Sequence, residues 1–232
     1  FRLGHLPERV GRIFAYLPTE LDAPIPCHIN ADFFPEQTRK SLVLAGEQHE
    51  RHWNEMLLQA AAREVASHLI GLRDVLGAKR LWELIDEALD KRLDPHFKVF
   101  WNEIEKQAKV EPIALTALGK WVKPAVCKIG PADYEKPEHG SLCTIGLQLL
   151  DAKLSPHKNS FVALGGSSLT LYPFVDAWDR WLGENAENEL ISTVTAKTMS
   201  FMVPLWRIAE RFVGEIGIIS SEQSALVRLS SL

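Results

Sequence analysis

Apolar and polar positions alternate through one short stretch near the start of the chain, and a longer period takes over directly after it. From Ile25 to Phe33 the residues Ile25, Cys27, Ile29, Ala31 and Phe33 alternate with Pro26, His28, Asn30 and Asp32. A period of two places the first set on one face of a strand and the second on the other, which predicts a half-buried antiparallel strand. Arg12 to Leu17 (RIFAYL) predicts an earlier strand, and Pro18 to Pro26 reads as a turn-rich link. Pro35 ends the alternation, because proline cannot donate to a ladder and restricts the residue before it. Ser41 to Ala45 predicts a returning strand closed by Gly46. Between the two arms lies Gln37-Thr38-Arg39-Lys40, a polar tip with adjacent cations.

From Glu47 the period becomes helical. Trp53, Met56, Leu57, Ala60, Val65, His68, Leu69 and Leu72 track one face, with Glu50, Glu55 and Arg63 opposite, so a long amphipathic helix is predicted. A second helix follows Gly77 with Leu81, Leu84, Ile85, Ala88 and Leu89 inward. Asp94-Pro95 has the chemistry of an N-cap and first helical residue for a third, which carries Phe97, Phe100, Trp101 and Ile104 and must end before Pro112. Beyond Pro112 the sequence predicts a hairpin turning at Gly119-Lys120, then a loop over ADYEKPEHGS and a short apolar segment, LCTIGLQLLD. Gly165-Gly166-Ser167-Ser168 reads as a turn whose serine caps a helix over Leu169 to Trp181. The segment from Ile191 predicts a strand and then a helix.

The fold class expected is therefore α+β. A small antiparallel β unit over residues 1–46 leads into a long amphipathic helix and a helical region over 47–111. A mixed region with a further β-hairpin follows over 112–232.

Composition narrows the classes. With 46% hydrophobic and 24% charged residues the chain is globular in type. A net charge of −4 argues against nucleic acid as the default partner, because phosphate neutralisation needs cations in excess. Cys27, Cys127 and Cys143 are odd in number, far apart and in no CxxC pair, the usage of reduced thiols in a cytoplasmic chain. The start, FRLGHLPERV, has no apolar signal region, and no run reaches membrane-spanning length, so no membrane partner is expected. The missing initiator Met and the unmarked end at ALVRLSSL suggest a piece of a longer protein.

Most chemical candidates reduce to structure. His49 and His52 lie three apart beside Glu50 and Glu55, but the zincin spacing is four and no third ligand is visible. Cys27 and His28 are neighbours in a strand, so they point to opposite faces and cannot pair as nucleophile and base. The tryptophans mostly fall at helical apolar positions, which favours core packing over base stacking. The Gly165-Gly166-Ser167-Ser168 run lacks the lysine of a phosphate-binding loop. The tip remains. On composition it is a solvated loop, yet two strands and a following helix would hold a guanidinium at a fixed place, suited to bidentate bonds with a phosphoryl group.

A family resemblance attaches to these residues. Gly11-Arg12-Ile13-Phe14, Leu17-Pro18, the Pro26 to Phe34 strand with Asn30 and Phe33, Arg39, and Trp53-Asn54 with Leu57 resemble the segment after the ATP-binding domain in sacsin-like proteins. Those are members of the GHKL ATPases, which also include the ninety-kilodalton heat-shock chaperones, gyrase and MutL. Gly119-Lys120-Trp121-Val122 with Pro124, and Gly146-Leu147 ahead of Leu149-Leu150, are similar to downstream pieces. The resemblance implies a transducer that returns one basic residue to a γ-phosphate, with Arg39 first, Lys40 second and Gln37 beside them. It implies an adjacent ATPase domain of the same protein as partner, with ATP and magnesium held there and none in this chain. It also implies a protein client, and a chaperone-like activity. The glutamate and asparagine of the catalytic helix and the Asp-x-Gly-x-Gly adenine loop are not in this sequence, so no complete ATPase site is expected. Two other readings stand beside this one: a non-catalytic protein–protein interaction scaffold, and a nucleic-acid-associated effector.

Overall fold

Gly11 opens the β unit because nothing larger fits there. A β-carbon at this position would lie 2.2 Å from the Cys27 carbonyl oxygen and 2.3 Å from that of Ile25. From it runs β1 (Arg12–Ala15), which turns at Tyr16 into β2 (Leu17–Asp22). The computed structural model describes residues 11–46, 49–130, 136–185 and 196–215. The expected strand from Ile191 therefore falls partly, and both chain ends wholly, outside the described residues.

The stretch Leu17–Asp22, expected from Pro18 onward as part of a link, is an antiparallel edge strand on β1. Pro18 is tolerated because an edge strand has one side free of ladder bonds. The register shifts between Arg12 and Phe14, a bulge. The Thr19 hydroxyl donates to the Ile13 carbonyl there (2.8 Å) and so satisfies a buried acceptor. β3 (Ile29–Asn30) joins the other side of β1, giving the order β2-β1-β3. It runs parallel to β1, not antiparallel as the alternation suggested, because the loop from Ala23 to His28 brings the chain back before pairing resumes. The alternation is still obeyed: Ile25, Ile29 and Phe33 are buried while His28, Asn30 and Asp32 are exposed. The Ser41 to Ala45 arm contracts to one antiparallel bridge, Pro35 with Leu42.

α1 (His49–Ser67) breaks at His68, and α2 (Leu69–Asp90) continues with a non-helical Gly77 at φ 76° and ψ 169°. The expected long helix is thus interrupted. The buried face of α1 is Asn54, Leu58, Ala62 and Ala66, one position round from the face predicted; Trp53 and Met56 are 39% and 50% exposed. The small alanines let α1 lie close against α3 (Lys98–Ala108), whose Phe100, Trp101 and Ile104 are buried. Side-chain size therefore misleads where the partner supplies the bulk. Asp94 caps the turn before α3, its carboxylate accepting from the His96 and Phe97 amides at 2.9 and 3.0 Å. In α2 the predicted inward set is buried, together with Trp82.

The chain forms two compact units. The first comprises Phe1–Ala114, Trp121–Ala125 and Pro156–Gly165; the second comprises Leu115–Lys120, Val126–Ser155 and Gly166–Leu232. The predicted hairpin pairs β4 (Ala114–Leu115) with β5 (Trp121–Val122), turning at Gly119 with φ 76°. In the second unit β6 (Lys128–Ile129) and β7 (Ser167–Ser168) pair in parallel, and Lys128 Nζ donates to Ser167 Oγ at 2.7 Å. Ser167 is therefore a strand residue and not a helix cap. The expected loop ADYEKPEHGS contains the start of a helix, α4 (Lys136–Thr144); residues 131–135 lie outside the described part. A short α5 (Lys158–Ala163) belongs to the first unit. α6 (Leu171–Asn185) and α7 (Ala196–Glu215) bury Phe174, Trp178, Leu205, Ile208 and Phe212 with Leu142 and Leu149. Among the described residues no helix is long and apolar enough to cross a membrane.

Candidate functional site

The tip is a hairpin end held by main-chain bonds on both arms. The Val43 amide donates to the Phe34 carbonyl (3.1 Å) and the Glu36 amide to the Ser41 carbonyl (2.9 Å). A tight turn closes it, the Arg39 amide donating to the Glu36 carbonyl at 2.8 Å. Arg39 takes the left-handed conformation, φ 57°, which few side chains other than glycine and asparagine adopt freely.

The candidate residues Gln37, Arg39 and Lys40 are all exposed, but they are not equivalent. Lys40 Nζ lies 3.6 Å from Glu20 Oε2, and the Glu20 amide donates to the Lys40 carbonyl at 3.1 Å. The main-chain bond fixes the tip on β2; the ion pair, about 70% exposed on both sides, adds only about 0–1 kcal/mol. The Arg39 guanidinium makes no ion pair or hydrogen bond to another described residue. Arg39 is thus the uncommitted cation of the tip.

Two anchors were hidden in the sequence. One is Glu20, which the linker reading placed outside any strand. The other is Asn54, fully buried on α1. Its Oδ1 accepts from the Phe34 amide (2.8 Å), and its Nδ2 donates to the carbonyls of Phe34 (2.8 Å) and Val43 (3.1 Å). The signal was available: Asn54 is the polar member of the four-residue series that continues as Leu58, Ala62 and Ala66. Next to it the Trp53 indole donates to the Asp32 carbonyl at 2.9 Å. The Asp32 carboxylate accepts a hydrogen bond from the Tyr16 phenol and holds it above its ordinary range.

Elsewhere His157 Nδ1 meets Asp86 Oδ2 at 2.6 Å, and the Ser160 hydroxyl donates to the other oxygen of the same carboxylate. This groups a serine, a histidine and an aspartate, but not as a nucleophile and its base. Ser160 bonds the acid instead of the imidazole, and both Ser160 and His157 Nε2 are buried. The knot ties α5 to α2. Burial raises the thiols of Cys27, Cys127 and Cys143, that of Cys127 to about 12, so none is a ready nucleophile. His49 faces Glu50 at 3.6 Å, and among the described residues no group of three or more metal-binding side chains gathers.

Comparison with protein-family models, with curated proteins and with solved structures returns no match to this chain.

Proposed function

We propose that this chain is the coupling region of a sacsin-like, GHKL-type ATP-dependent protein of the cytoplasm. In this reading it relays the nucleotide state of an adjacent ATPase domain to helices that engage a protein client. Arg39 reads the phosphate. The observation that carries the proposal is an exposed guanidinium without a partner among the described residues, on a turn anchored to both β2 and α1. A planar fork held in one place suits bidentate contact with a phosphoryl oxygen pair. Lys40, engaged by Glu20, supplies field more than contact.

The donors at the tip fit a phosphate group and not a whole nucleotide, since Gln37, Thr38, Arg39 and Lys40 are all exposed and none of the described residues encloses a base there. ATP and magnesium would accordingly be held by the adjacent domain, with Arg39 reaching them in trans. A cation so placed stabilises charge on the transferring phosphoryl and signals whether the γ-phosphate is present.

A second reading, a pure interaction scaffold, is favoured by the exposed Tyr16 (78%) and Trp53 (39%), which both bond Asp32 on the arm leading to the tip. Titration with inorganic tripolyphosphate separates the two. The coupling reading expects amide shifts at residues 36–41 that are weakened by salt and lost in Arg39→Ala. Identical shifts in the variant, or none in the unaltered chain, would leave the scaffold.

A further inference from the structure

We infer that Asn54 is the positioning residue that joins the tip to helix α1, so that displacement of Arg39 by a phosphate is passed directly to the helix. The inference rests on the phosphate-reading role proposed for the tip, and adds to it the route by which the signal leaves.

The geometry is specific to a primary amide. One planar group accepts from the Phe34 amide and donates to the Phe34 and Val43 carbonyls, so it grips both arms of the hairpin at its base. Leucine has neither donor nor acceptor. Aspartate keeps the acceptor but sets a carboxylate against two carbonyls. Asn54 is 0% exposed, and separating the helix from the hairpin would leave backbone groups there without partners. The arms and the first turns of α1 therefore move together. Trp53, through Asp32, adds a second tie on the same arm. Farther along the same face of α1, Ala62 and Ala66 are buried and α1 packs on α3, so a shift of α1 is felt there next.

Amide hydrogen exchange on the full chain tests the tie without assuming any ligand. In Asn54→Leu, exchange at Glu36 and Arg39 should accelerate at least about tenfold, while Ala23 and Ala31, bonded within the sheet region, stay protected. In Asn54→Asp, protection at the tip should recover as pH falls, because the protonated carboxyl regains a donor. Unchanged tip exchange in both variants overturns the inference. So does equal loss at Ala23 and Ala31 in both, which would make Asn54 a general core residue. Inorganic tripolyphosphate then tests the relay. The unaltered chain should shift amides at the tip and around Asn54, whereas Asn54→Leu should keep the first and lose the second. Persistent α1 shifts in Asn54→Leu overturn the relay alone. A silent tip in the unaltered chain overturns the phosphate reading and the relay with it, and the exchange data still decide the tie.

Discussion

At Gly11 the physics is steric. The backbone of Ile25 and Cys27 occupies the space a side chain would need, and the Gly11 carbonyl accepts from Ala23 at 2.8 Å. Gly11→Ala should cost at least about 2 kcal/mol, because it is backbone and not a flexible side chain that must yield. Chemical denaturation measures this, and a change below about 0.5 kcal/mol would refute it. Cys127 illustrates the opposite kind of constraint. Its thiol is fully buried and titrates near 12 against an ordinary 9.0. Since the folded value lies above the unfolded one, the neutral thiol's contribution is complete below pH 9.0 and disappears as pH climbs through about 12. Unfolding curves at pH 8 and about pH 10.5 should therefore diverge more for the native chain than for Cys127→Ala; equal divergence would contradict the assignment.

Elements show how far a sequence can be read. The inward faces of α2 and α3 were legible because Leu81, Leu84, Ile85, Phe100 and Ile104 repeat at helical spacing and are themselves the bulk of the packing. The face of α1 was not, because its alanines matter only through what α3 brings to them. Pro18 to Asp22 was not legible as a strand, since its proline and charges suit a link, and only the ladder to β1 makes it one. Of the site, the tip and its cations could be read locally. Its anchors could not be read locally, since Glu20 bonds Lys40 and Asn54 bonds Phe34, each 20 residues away, and only the four-residue spacing of Asn54 with Leu58, Ala62 and Ala66 pointed to the second. The Asp86, His157 and Ser160 knot is equally non-local. Asp86→Ala should destabilise the chain by about 2–3 kcal/mol by leaving two buried polar groups unpaired. Thermal unfolding of Asp86→Ala beside the double variant Asp86→Ala/His157→Leu would check the cause, the double variant recovering part of the loss.

On the scale of the whole molecule, the chain combines a weakly negative balance with an exposed basic turn at Arg39-Lys40. A net charge of −4 does little to concentrate polyanions, so a cation that contacts phosphate must do so by being held in position. The account turns on Arg39 being held for that purpose. Steady-state ATP turnover, measured on the protein that carries the proposed ATPase domain with Arg39→Ala beside Lys40→Ala, tests it most directly. A trans-acting arginine contributes on the order of 10³–10⁵ to such rates. The account predicts that Arg39→Ala lowers turnover by at least about a hundredfold, while Lys40→Ala changes it by less than about threefold. Turnover in Arg39→Ala equal to that of the unaltered protein would contradict it.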